Sequence, residues 1–171
     1  MSPRPARKPS VPAGVHPSSP RSRDPGERYR QYFPRVFAYV YGRTRDTRAT
    51  EDLASEVFRR AFAEAHALPD ETAFETRLFT VARNLLIIHC RSHAPRDDAP
   101  EDDLLDSPDV ARVLNHLRDL PLRQQDIVAL KFDAQLTNAQ IAEVMELTER
   151  KVRAMLYRSL QHIQKALERE G

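Results

Sequence analysis

The sequence predicts an all-α fold made of two small helical domains joined by an acidic linker. Three observations carry that prediction. Apolar residues recur at spacings of three and four through long Ala/Leu/Arg/Glu stretches, as in helices with one buried face. Glycine is scarce (four in 171 residues) and tryptophan is absent. Between residues 94 and 109 the composition changes abruptly and divides a three-helix stretch from one of about four helices.

The length permits one domain or two small ones, and an apolar fraction of 40% suits compact helical cores better than one large core. Net charge is only +2, so any nucleic-acid surface requires segregated charge. A single cysteine, Cys90, excludes a disulfide framework within the chain and fits a reducing cytosol. No apolar run approaches membrane-spanning length, and no apolar signal core leads the chain. A cytoplasmic location is the resulting expectation.

Residues 1–27 hold seven of the thirteen prolines and the cations Arg4, Arg7, Lys8, Arg21 and Arg23, with almost no large apolar group. Such a stretch buries too little surface to offset its ordering entropy and is expected to be a disordered arm. The first helical domain, 28–93, opens with Tyr29, Tyr32, Phe33, Val36, Phe37 and Val40 at helical spacing. Pro34 should kink that helix or restart it, and Gly42 with the polar run Arg43–Asp46 should end it. A second helix over Thr47–Leu68 has an acidic start (Glu51, Asp52, Glu56) and an inward face of Leu53, Val57, Ala61 and Ala65. Pro69 and Asp70 stop it. Thr72 and Glu75 read as a capping box for a third helix, Ala73 to about Ser92, with Phe74, Leu78, Val81, Ala82, Leu85 and Leu86 inward.

Residues 94–109 form the linker: from Asp97 to Asp109 there are seven Asp or Glu and no Lys or Arg. Solvated spacer and acidic mimic of nucleic acid both fit that composition. The second domain, 110–171, starts with a helix facing inward through Val110, Val113, Leu114 and Leu117, ended by Leu120–Pro121. Arg123 to about Phe132 follows, with Ile127, Val128 and Leu130 apolar. Next comes TNAQIAEVMELTERKVRAMLYR, residues 137–158. Thr137 and Gln140 spell a capping box, and Ile141, Ala142, Val144 and Met145 an apolar face. Thr148 can cap a last helix that buries Val152, Met155, Leu156 and Ser159 and runs on through Leu160, Ile163 and Leu167. Arg150, Lys151, Arg153, Tyr157 and Arg158 are left outward. A short helix, a turn and a basic second helix is the layout of a helix-turn-helix, whose second helix enters a major groove. A helical hairpin with a solvated charged face explains the same residues.

No catalytic constellation emerges. His89 and His93 flank Cys90 at i and i+4, but without further ligands a surface histidine pair is the simpler reading, and no metal or cofactor is expected. No Gly-rich phosphate loop and no nucleophile triad stands in a supporting context. The chain reads as a binding protein, not an enzyme.

Two windows together resemble a known family. ATEDLASEVFRRAF (49–62) with RLFTVARNLLIIHCR (77–91) resembles the second conserved region of bacterial RNA polymerase sigma factors of the sigma-70 family. LRDLPLRQQDIVALKFDAQLTNAQIAEVMELTERKVRAMLYRSLQHI (117–163) resembles the fourth. Order and separation match the small two-domain extracytoplasmic-function group. The resemblance implies partners, namely core RNA polymerase through its beta and beta-prime subunits, and promoter DNA. It also admits an anti-sigma factor, which in many members clamps both domains. Glu51, Asp52, Leu53 and Glu56 would dock on the clamp coiled coil of the largest polymerase subunit. Arg83, Asn84, His89 and Arg91, with the loop His66–Thr72, would hold the −10 element, where melting needs captured, unpaired bases. Thr148, Arg150, Lys151, Arg153, Tyr157 and Arg158 would meet the −35 duplex. A structural alternative for Arg83 is a salt bridge to Glu51 or Glu56.

The chain departs from the family pattern at four positions. Arg77 stands where Trp is usual, Ile88 where Asp is common, Glu146 at a turn position usually Gly, and Met155 where Arg is frequent. Divergent promoter preference is the expected consequence. Two other functions remain compatible with the residues: a stand-alone helix-turn-helix regulator that dimerises through 28–93, and a sigma-like antagonist that has lost its reading of DNA.

Overall fold

The computed structural model describes residues 24–93 and 107–171. The arm, apart from its last four residues, and residues 94–106 of the linker lie outside them. Seven α-helices and one 3-10 turn make up the described residues, without a strand. They are α1 (Pro25–Thr44), α2 (Thr47–Glu64) with the 3-10 turn Ala65–Ala67, α3 (Glu71–Ser92), α4 (Pro108–Arg118), α5 (Leu122–Phe132), α6 (Asn138–Met145) and α7 (Glu149–Glu170). The all-α expectation holds.

The first unit is the bundle α1–α3. Tyr32, Val36 and Val40 are buried as their spacing predicts, and so are Val57, Ala61, Phe74, Leu78, Val81, Ala82, Leu85 and Leu86. Tyr39, Phe58 and Phe79 are buried as well, whereas Tyr29, packed on Phe33 and Phe58, keeps 41% of its surface exposed. Each fully buried large side chain contributes about 1.5–3 kcal/mol relative to exposure. Arg28 and Tyr32 both bind Glu71, Arg28 Nη2 at 3.0 Å and Tyr32 Oη at 2.8 Å, which ties α1 to the first turn of α3.

Three local expectations are corrected. First, α1 does not restart at Pro34 but continues through it to Thr44. The proline is exposed, and the aromatic and valine residues packed on either side hold the helix together across the missing hydrogen bond. Second, Gly42 does not end α1. Arg45 takes the left-handed cap at φ 52°, its N–H donating to Tyr41 O and its guanidinium over the Tyr41 ring at 5.6 Å. Third, the cap of α3 is Asp70, which accepts from Ala73 N at 2.8 Å, and Thr72 and Glu75 make no capping box. Glu75 is drawn away to Arg35 and to Gln140 across the molecule.

The second unit is α4–α7. Ile127, Leu130, Leu136, Ile141, Val152 and Ile163 form its interior, and Arg112 and His116 of α4 hold the far end of α7 through Glu170, each at 2.9 Å. The two units pack on one another along α3 against α6 and α1 against α5. Their apolar interiors join into one continuous cluster running from Tyr32 to Leu156. Polar contacts stitch the same seam: Arg35 Nε donates to Ala134 O at 2.8 Å, and Gln140 Nε2 donates to Glu75 at 3.0 Å.

Candidate nucleic-acid interface

The helix-turn-helix is built from the local signals its sequence carries. Thr137 Oγ1 accepts from Gln140 N at 3.2 Å while Gln140 Oε1 accepts from Thr137 N at 3.0 Å, the reciprocal box that starts α6. Glu146 closes α6 in a left-handed conformation, φ 54° and ψ 45°. Its N–H donates to Glu143 O and that of Leu147 to Ala142 O, the pair of bonds that defines a Schellman turn. Thr148 then caps α7, accepting from Lys151 N at 3.2 Å.

Burial on α7 follows the heptad: Val152, Leu156, Ser159 and Ile163 face inward. Met155, expected in the core, is only half-buried, and Leu160 is 45% exposed. Thr148, Arg150, Lys151, Arg153, Tyr157 and Arg158 are all exposed, and Tyr157 presents two-thirds of its surface. Among the described residues, none of Arg150, Lys151 and Arg153 takes part in an ion pair. Their charge is therefore available to phosphate, and their position at the first turn of α7 suits base edges in a groove.

On the first unit the expected docking acids are at the start of α2. Glu51 and Asp52 are exposed and Leu53 is half-buried beside them. Glu56 is different. Arg59 and Arg60 both donate to its carboxylate at 2.6 Å, and these hydrogen bonds hold its pKa down at about 2. Its charge is thus shared within its own helix.

The four residues expected on the −10 element do not share one face of α3. Asn84 and Arg91, seven apart, are exposed together, with Ile88 between them at 58% exposure. His89 turns toward the α1–α2 junction, where it lines an open hollow with Asp46, Arg48, Asp52 and His93. Its ring stacks on His93 at 4.3 Å, and burial, then the neighbouring histidine, lowers its pKa. No cluster of three or more potential metal ligands gathers among the described residues. Arg83 points elsewhere, into the seam between units. Neither Glu51 nor Glu56 is its partner: its Nε donates to Asp126 Oδ2 of α5 at 2.6 Å.

Asp126 is the residue that periodicity overlooked. Its side chain is 8% exposed and also accepts from Tyr39 Oη at 2.6 Å, with Arg43 Nη2 at 3.4 Å. Burial and then the Asp126 carboxylate push the Tyr39 phenol well above its usual pKa, so it remains a donor. The signal was present: Asp126 stands four residues before Leu130, an acid set into an apolar stripe. Arg77, the usual Trp position, pairs with Glu64 at 2.9 Å and leaves the core, so the substitution costs the fold no buried charge.

Residues 28–96 match the family model described as Sigma-70 region 2, and residues 110–163 match that described as Sigma-70, region 4. The chain is 31% identical over 157 residues to the ECF RNA polymerase sigma factor BldN of Streptomyces coelicolor, spanning 83% of this chain and 60% of that one. To the ECF RNA polymerase sigma factor SigM of Bacillus subtilis it is 27% identical over 158 residues, covering 85% of this chain and 95% of the relative. Among solved structures, the sigma factor RpoE crystallised with the anti-sigma factor NepR from Bartonella quintana superposes with a TM-score of 0.68. That match covers 84% of this chain and 96% of that one at 16% identity, a likeness of fold. Two region models in the family's order, over the helices just described, place the chain in the sigma-70 family of RNA polymerase sigma factors, within its extracytoplasmic-function group.

Proposed function

We propose that the chain is a promoter-specificity subunit that binds core RNA polymerase and directs it to −10 and −35 elements. The observation that carries this reading is the division of exposed charge. A capped helix-turn-helix presents unpaired cations on α7, and a separate unit presents exposed acids at the start of α2. In this reading the first unit, 28–93, docks through Glu51, Asp52, Leu53 and Glu56 on the beta-prime clamp. Asn84 and Arg91 on the exposed face of α3 meet the melted −10 strand, with His89 reaching DNA from its flank and Arg83 doing so once released from Asp126. The second unit, 110–171, places Thr148, Arg150, Lys151, Arg153, Tyr157 and Arg158 against the −35 duplex. Residues 94–109 connect the two. The role is one of binding and needs no catalytic group of the chain's own. It is exercised in the cytoplasm, where polymerase works; among the described residues no helix is long and apolar enough to cross a membrane. The fold shared with a sigma factor crystallised on its anti-sigma factor supports a regulator of that class for this chain too.

The test is run-off transcription with purified core polymerase on a promoter library. Specific starts that depend on the chain support the proposal. Tight duplex binding by the free protein without such starts would instead make it a stand-alone regulator, and stable polymerase binding without initiation an antagonist. Glu51→Lys with Asp52→Lys should abolish polymerase binding and leave duplex contacts in place.

A further inference from the structure

Arg83, Arg43 and Tyr39 converge from α3 and α1 on one carboxylate. Tyr39 is fully buried, and Arg83 and Arg43 have side chains only 25% and 21% exposed. Arg43 Nη2 is buried and has no hydrogen bond, only the 3.4 Å approach to Asp126 Oδ1. Two guanidinium groups and a phenol around one carboxylate leave the pocket with a surplus positive charge and an unused donor. That is the composition of a site for an anion with more acceptor oxygens than a carboxylate supplies.

We propose that Arg43, Arg83 and Tyr39 form a phosphodiester-binding site of the first unit, which the Asp126 carboxylate of the second unit occupies whenever the two units are packed together. The inference rests on the promoter-binding role proposed above and deepens it: the ligand is a backbone phosphate of single-stranded DNA. Asp126 acts as an internal stand-in for that phosphate. While it is seated, Arg83 is withheld from DNA, although Asn84, one residue on, is exposed. The seam that must part also contains Arg35, Glu75, Ala134 and Gln140. A partner that separates α5 and α6 from α1 and α3 would uncover the site. In the free chain, binding of a strand and packing of the two units then compete for the same donors, so the packed state lowers apparent affinity by the fraction of molecules it holds.

The experiment uses the full chain and a short single-stranded DNA oligonucleotide, with affinity measured by fluorescence anisotropy over a range of salt. Asp126→Asn should bind about tenfold tighter than the unaltered chain and show a steeper salt dependence, by about 1.4 in log–log slope for two more phosphate-bound cations. Glu143→Gln, which removes the same charge from an exposed position of α6, controls for net charge and should change affinity by less than about twofold. Adding Arg43→Ala and Arg83→Ala to Asp126→Asn should erase the gain. Glu75→Gln, which loosens the seam without touching the site, should give a gain of the same sign and serves if Asp126→Asn does not fold. No gain in either folded variant, or a gain that survives loss of both arginines, overturns the proposal. Run-off transcription in parallel separates the two readings. Directed starts by the unaltered chain with no gain from Asp126→Asn sink this inference alone; a gain without directed starts sinks the promoter role instead.

Discussion

Replacing Glu146 by glycine should stabilise the protein, and the size of the effect can be worked from the turn. Glu146 sits at φ 54°, where an L-residue brings its Cβ against the following carbonyl at a cost of about 1–2 kcal/mol. Glycine escapes that clash but loses more backbone freedom on folding, about 0.5–1 kcal/mol. The turn's hydrogen bonds are all backbone, from Glu146 N to Glu143 O and Leu147 N to Ala142 O, so the substitution removes none of them. The net gain is about 0.5–1 kcal/mol, a rise of roughly 1–4 °C in Tm for a chain of this size. Far-UV circular dichroism through thermal and urea denaturation measures it. Glu146→Ala keeps a Cβ at positive φ and should gain nothing. If the glycine variant is no more stable than the alanine variant, the strain argument fails. Glu146→Gln isolates the charge: it should raise affinity for a −35 duplex while leaving Tm unchanged.

Arg150→Ala with Lys151→Ala should weaken use of the −35 element and reduce the log–log salt slope of duplex binding by about 1.8, with polymerase binding intact. An unchanged slope would mean that neither residue meets phosphate. Phe79→Ala removes a fully buried ring that packs edge-on to Tyr39 at 6.2 Å and should cost about 3–5 kcal/mol by urea denaturation. His89 should titrate below 6.5 in the folded protein, read from its ring resonances by NMR. Its folded pKa is depressed, so the unfolded chain takes the proton first. The corresponding stability is complete above 6.5 and declines as pH falls from there to the folded pKa; His89→Asn should flatten that part of the pH profile.

Short-range signals in the sequence translated well into structure. The Thr137–Gln140 box, the Thr148 cap and the inward positions Val152, Leu156, Ser159 and Ile163 of α7 all depend on residues within four of one another, where periodicity and capping rules apply. Errors arose where a local rule competed with a distant partner. Thr72 and Glu75 have the spacing of a capping box, but Glu75 gains more from Arg35 and Gln140, which lie 40 and 65 residues away. Pro34 breaks an isolated helix, yet a continuous row of buried neighbours carries α1 across it.

The same distinction explains why the candidate site was legible in part. The outward cations of α7 need no tertiary partner, so their role follows from which face is left over once the apolar positions are buried. Arg83 does need one. Its position on α3 suggests an outward cation, but its direction is set by α5, 43 residues on, and by how two helical units meet. A buried carboxylate ringed by two arginines and a tyrosine would be costly to desolvate for stability alone, and hydrophobic residues would fill the seam as well. Its cost makes sense if the seam has to open. The apolar part of the seam, continuous from Tyr32 to Leu156, exposes sticky surface when it parts, whereas Asp126, Arg43 and Arg83 each return to water or to a phosphate. This polar cluster within the seam thus suits a protein whose two halves pack together in one state and grip separate stretches of promoter in another.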